Sequence, residues 1–302
     1  MAKRNAIHHK GYYFIAPFFI MFILFGLFPI LYTLYLSFTF SDGWGFEFVG
    51  LENYIRLVTN DPRFLRAIKN TWIIWSLNFI PQLGSALFLA WVYTYAKIKG
   101  VAFFRAVFYF PNLVTATSVA VLFAMFLDRD SGILNQVLLS IGLIKEPIYF
   151  ATKPFFMQVT VASIQWWMWF GHSTIILLAG MTAIPNDYFE AARVDGVKNT
   201  QIFWRITIPL LWPTIVYILT TSVIGGMQIF DIPYLLTRPV GSPQDSMLTL
   251  VVYLYQTAFS SQILGYGAAI AWAIFVIILG IILLSVFLRA LFKIIRGDKR
   301  YA

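Results

Sequence analysis

The chain has 302 residues, 60% hydrophobic and only 12% charged, with a formal net charge of +9. Soluble domains carry about 25% charged residues, so the composition excludes an ordinary soluble fold and points to a membrane protein. Cysteine is absent and no HExxH spacing accompanies the three histidines, which excludes disulfides, thiolate metal sites and the zinc-protease signature.

A spanning helix needs roughly 20 mostly apolar residues. Six stretches meet that requirement, at about 12–38, 71–95, 106–127, 155–184, 206–232 and 265–291. They predict an all-α membrane protein, one domain over residues 1–302, with six transmembrane helices. The first stretch is too long for a cleaved signal peptide and no small-x-small site follows it. Pro17, Pro29, Pro81 and Pro111 fall inside spans and predict kinked, bundled helices. Short surface helices are expected at 51–58 and 64–69. In the second span, Asn78 and Gln82 read as cavity groups or as hydrogen-bonding groups between helices, with the second reading favoured. The segment 132–142 repeats its apolar residues at helical spacing and reads as an interfacial helix packed on the bundle.

With the N-terminus inside, fourteen of the 22 Lys and Arg residues lie in inside segments and eight outside. The positive-inside rule then puts both termini in the cytoplasm. Orientation accounts for the basic balance, and nucleic acid is not required as a partner.

In the fourth span, Gln165, Trp169 and His172 follow an i, i+4, i+7 spacing and share one face. A polar stripe at bilayer depth faces the interior or a cavity. Indole offers a flat apolar face and an N–H donor, which suits a saccharide. Trp166 and Trp167 read as packing groups. In the fifth span, Ser222, Gly225 and Gly226 lie close together on a face where glycine permits close approach. Gln228, Asp231 and Tyr234 read as an outer gate.

Between these two spans lies a polar segment, 186–205. Asn186 is placed to cap a helix, with Asp187 and Glu190 in the first turn. Gly196 falls where that helix stops, and Asn199 or Thr200 can cap a second short helix. Its apolar residues are too few to cross a bilayer. Physical chemistry leaves two readings open, a connector folded back on its own protein or a lever seated in a partner.

The residues Glu190-Ala191-Ala192, Asp195-Gly196, Phe203, Ile206, Ile208-Pro209 and Pro213 resemble the EAA loop of the permease subunits of ABC importers, sugar type. Phe48-Val49-Gly50-Leu51-Glu52-Asn53-Tyr54, Phe230 through Thr237 and Leu248-Thr249-Leu250 are similar to other stretches of these permeases. Where relatives continue with Gly-Gly-Pro, this chain reads Arg238-Pro239-Val240-Gly241-Ser242-Pro243. The resemblance implies a cytoplasmic coupling helix in which Glu190, Ala191, Ala192, Asp195 and Gly196 engage an ATPase. It implies an ABC ATPase dimer, a second homologous permease subunit forming a heterodimer, an extracytoplasmic solute-binding protein and a lipid-embedded plasma-membrane location. Counting without gaps from Glu190, the maltose-type pattern implies a substrate pathway through Gln165, Met168, Trp169, His172, Ser222, Gly225 and Gly226.

The chain has no GxxxxGK[ST] motif. No cofactor is expected in it, with ATP and Mg bound by the partner ATPase, and the chain itself is not expected to be an enzyme. No Asp, Glu, Lys or Arg lies mid-span, which counts against an ion-coupled secondary carrier, since such carriers bury functional charges at depth. The same lack of mid-span bases favours a neutral mono- or oligosaccharide over glycerol phosphate, with a polyol as a further alternative. An intramembrane enzyme would need more than His172 beside Ser173.

Overall fold

The computed structural model describes residues 2–41, 45–95, 99–150, 153–237 and 240–295. It is mostly helical. The chain opens with α1 (Ala2–Phe22), a π-helical turn at Ile23–Leu27 and α2 (Phe28–Ser37). From Tyr12 to Ser37 apolar residues surround this rod on all sides, and none of its most apolar stretch is buried. A helix that is hydrophobic all round belongs in lipid or against another chain. A two-stranded hairpin follows, β1 (Thr39–Phe40) against β2 (Glu47–Phe48), with Thr39 opposite Phe48. Next comes α3 (Glu52–Thr59).

The second long helix, α4 (Pro62–Tyr95), starts on a proline and runs unbroken. A separate surface helix at 64–69 is therefore not formed; no breaker interrupts the sequence before the apolar run. Proline at the first position costs nothing, because its missing N–H would be unpaired there anyway. The expected span at 106–127 is broken instead. It consists of α5 (Val101–Leu113) and α6 (Ala116–Phe126), bent by 92°. Val114 and Thr115 are extended at the break, and Thr115 Oγ1 accepts from the Ser118 N–H at 3.2 Å. The threonine starts a new helix by satisfying an otherwise orphaned donor.

The segment after it, α7 (Ile133–Ser140), differs from the expectation of apolar packing. Ile133, Leu134 and Val137 are exposed, whereas Asn135 is 2% exposed. Its amide donates to the carbonyls of Asp128, Arg129 and Ile148 and accepts from the Ile148 N–H. One polar side chain thus ties the segment together, and the apolar face is left outward.

The remaining elements are α8 (Pro154–Thr182), α9 (Asn186–Val194), α10 (Asn199–Ile202), α11 (Ile208–Met227), α12 (Asp231–Leu236), α13 (Leu250–Tyr255) and α14 (Leu264–Ile295). The first two form a pair bent by 75°. A π-helical stretch, Phe203–Thr207, joins α10 to α11 without a turn. Among the described residues, four helical stretches are long and apolar enough to cross a membrane, namely Tyr12–Ser37, Pro62–Tyr95, Asn199–Leu236 and Leu264–Phe287; counting each bent pair as one span gives up to six.

The chain divides into two compact units. The first comprises residues 1–61 and 254–277. In it Asn53 donates to the carbonyls of Ser37 and Thr39, and the Tyr266 hydroxyl donates to Asp61 beneath the Arg56 guanidinium. The second comprises residues 62–253 and 278–302. Its axis is the long packing of α4 on α8. One apolar cluster gathers Ile74, Val161, Ile164, Ile232 and Met247, and another gathers Ala86, Leu177, Leu211 and Ile218. Gly171 lets α5 lie directly on α8, since a Cβ there would sit 1.9 Å from the Phe108 carbonyl oxygen.

Candidate functional site

A cavity of about 340 Å³ opens inside the second unit. Gln165, Met168, Trp169 and His172 line it from α8, and Ser222, Gly225 and Gly226 line it from α11. The structure therefore brings all seven pathway candidates to one space. Trp169 meets His172 edge-on at 5.6 Å, and Tyr109 stacks against the imidazole at 6.2 Å. Gln228 and Asp231 reach the same cavity, whereas Tyr234 stacks on Phe230. No lysine or arginine is among the described lining residues. Trp166 and Trp167 turn elsewhere. The indole of Trp166 donates to Ser85 Oγ at 3.0 Å, and Trp167 packs edge-on against Phe123.

The two glycines of α11 serve different purposes. A Cβ on Gly226 would lie 2.1 Å from Cδ1 of Trp75, whereas a Cβ on Gly225 would meet nothing within 4 Å. Trp75 cannot easily yield. Its Nε1 donates to both the carbonyl and the hydroxyl of Ser222 at 3.1 Å, and its ring stacks on Phe79 at 5.1 Å. Gly226→Ala is expected to destabilise the subunit by about 1–3 kcal/mol, the usual cost of overpacking. Gly225→Ala is expected to keep the wild-type melting temperature and reduce only solute passage. Thermal melts and uptake assays on both variants check the contrast.

Trp75 is absent from the sequence-derived candidates. Asn78 and Gln82 of α4 both line the cavity, the reading the sequence leaves open beside the interhelix bonds it favours. Gln82 does donate to Ser173 Oγ at 2.7 Å across helices, as expected of an interhelix bond.

The second candidate region surrounds α9. Asn186 is its first helical residue and Pro185 its cap, so the capping role expected of Asn186 is not realised; no side chain caps this end. Gly196 ends the helix with φ +72°. The Gly196 N–H donates to the Arg193 carbonyl and the Val197 N–H to the Ala192 carbonyl, both at 3.0 Å. That pair of bonds is a Schellman stop, which needs a left-handed residue and so favours glycine. Lys198, not Asn199 or Thr200, precedes α10, and its N–H donates to Gln201 Oε1 at 3.3 Å. The apolar side of α9 is anchored by Ala192, which is buried, and by Phe189, edge-on to Tyr95. Glu190, Ala191 and Asp195 face outward, and Val194 is 88% exposed. Asp187, Tyr188, Ala191 and Asp195 border a shallow hollow beside Val197 and Ile206. The residues 238 and 239 of the divergent outer segment lie outside the described residues; beyond them, Asp245 pairs with Arg66 at 3.1 Å.

The chain is 35% identical over 266 residues to a lactose transport system permease protein of Rhizobium radiobacter, covering 88% of this chain and 89% of that one. It is 34% identical over 288 residues to an arabinooligosaccharides transport system permease protein of Bacillus subtilis, covering 93% and 89%. A crystal structure of a bacterial ABC transporter involved in import of the acidic polysaccharide alginate superposes with a TM-score of 0.82 at 25% identity, over 95% of this chain and 96% of that one. The family model for the binding-protein-dependent transport system inner membrane component matches residues 82–300, and the chain belongs to that family.

Proposed function

We propose that this chain is a membrane-spanning subunit of an ATP-driven importer that passes a neutral mono- or oligosaccharide received from an extracytoplasmic binding protein. The observation that carries the reading is the cavity between α4, α8 and α11. It combines amide, hydroxyl, imidazole and indole groups with apolar walls and has no lysine or arginine among its described lining residues. Such a surface suits the C–H patches and hydroxyls of a sugar. It supplies no counter-charge for a phosphate or a uronate. The lactose and arabinooligosaccharide relatives lend weight to a saccharide.

In this reading the protein crosses the plasma membrane six times, with both termini in the cytoplasm. The bend between α8 and α9 turns α9 into a coupling helix along the cytoplasmic surface. Glu190, Ala191, Ala192, Asp195 and Gly196 engage a cleft in a dimeric ABC ATPase, which binds ATP and Mg; this chain needs no cofactor of its own. A homologous permease subunit completes the pathway, and lipid covers the rest. ATP binding moves the coupling helix and exposes the cavity to the binding protein; hydrolysis resets it.

Reconstitution of the complete complex in proteoliposomes tests the proposal. ATP-dependent uptake of lactose or L-arabinotriose is expected with the binding protein present, and none from the purified chain alone. Uphill transport by the chain alone, driven by a proton gradient, would overturn it.

A further inference from the structure

Building on the sugar-permease reading, we infer that α4 is a third recognition wall of the cavity, in which Asn78 supplies the hydrogen-bond acceptor for a solute hydroxyl while Trp75 and Gln82 hold two serine hydroxyls as donors. Trp75, Asn78 and Gln82 follow an i, i+3, i+7 spacing and share one face of α4. Trp75 donates to Ser222 Oγ on α11, and Gln82 donates to Ser173 Oγ on α8. Both serines line the cavity. In each, the oxygen is occupied as an acceptor, and neither hydroxyl donates to any described residue. Serine has one O–H to give, so each retains a donor for the cavity.

Asn78 lies between these two anchors on the same face. It lines the cavity, is 6% exposed, and its Oδ1 is buried with no hydrogen-bond partner. A buried carbonyl oxygen without a partner is costly and uncommon in native proteins. Asparagine turns readily about its terminal torsion, which brings Oδ1 to a hydroxyl entering the cavity. The pattern is donor, acceptor, donor along a wall that the fourth and fifth spans complete. A vicinal diol with its neighbouring ring or glycosidic oxygen presents the complementary order.

Interhelix bonding alone would make Asn78 structural, and the two roles predict opposite results for Asn78→Leu. Leucine fills nearly the same volume and removes the unpaired oxygen. The assembled complex is expected to melt at or above the wild-type temperature. Uptake in proteoliposomes is then measured with lactose and its monodeoxy analogues, or with L-arabinotriose and its analogues if the wild type prefers it. In the wild type at least one analogue should be transported about tenfold more slowly than its parent, the scale of one lost buried hydrogen bond. In Asn78→Leu that discrimination should fall to about twofold, whereas Trp75→Phe should relax discrimination at a different hydroxyl. A lowered melting temperature in Asn78→Leu, or an unchanged analogue profile, would overturn the inference. A wild-type complex that takes up neither sugar would overturn the sugar reading and this inference together.

Discussion

Glu190→Arg should reduce ATP-driven uptake by about a hundredfold or more while leaving the subunit folded. The side chain is exposed on α9 and has no ion pair or hydrogen bond among the described residues. Its replacement therefore breaks no side-chain bond among the described residues. Phe189 and Ala192 hold the helix to the bundle on its other side, so the outward face is presented on a fixed support. A carboxylate in that position, seated in the proposed ATPase cleft, becomes one half of a desolvated ion pair. Removing one partner of such a pair costs about 3–5 kcal/mol, and each 1.4 kcal/mol is about tenfold in an equilibrium constant. Arginine adds like-charge repulsion, so Glu190→Gln should be less damaging. Uptake and ATPase rates of the purified complex, alongside co-purification of the subunits, check this. Wild-type uptake by Glu190→Arg would remove α9 from the coupling path.

Gly171→Ala should be the most damaging small substitution in the membrane core of the second unit. The new methyl would meet the carbonyl of Phe108, a backbone group on α5 that cannot swing aside. Gly180 makes a useful comparison. A Cβ there would lie 2.8 Å from Thr214 Oγ1 and 2.9 Å from Leu211 Cδ2, both side-chain atoms that can rotate away. Overpacking costs about 1–3 kcal/mol and occasionally more; Gly171 belongs at the upper end and Gly180 at the lower. Melting temperatures and the yield of assembled complex should rank wild type first, then Gly180→Ala, then Gly171→Ala. Equal values for the two alanine variants would show that α5 can retreat from α8.

The sequence reveals what is local and repetitive. Long apolar runs give helices, and Gly196 ends α9 because a single residue with positive φ suffices for its stop. The clustering of Gln165, Trp169 and His172 follows from helical spacing along one element. What is less legible depends on contacts distant in sequence or on fine competition along the backbone. Gly226 reads equally as a solute contact or a packing position until Trp75, about 150 residues earlier, is found against it. Asn135 is an ordinary polar residue in an apolar pattern, yet its amide determines which side of α7 turns inward. The corner at Val114 and Thr115 contains neither glycine nor proline. Capping by threonine competes there with helix continuation, and an apolar average over the segment cannot register it.

That corner has a further consequence for the lipid around it. The arms of the bent pair hold 13 and 11 residues. At 1.5 Å per residue they are about 20 and 17 Å long. Set at 92°, the two helical arms alone reach about 26 Å, the extended corner residues aside, against a hydrocarbon layer of about 30 Å. Where this pair serves as one of the six proposed spans, the bilayer thins beside it or the polar ends are drawn inward, at a fraction of a kcal/mol for each ångström of mismatch. Acyl-chain length thus becomes a mechanical load on the wall of the cavity.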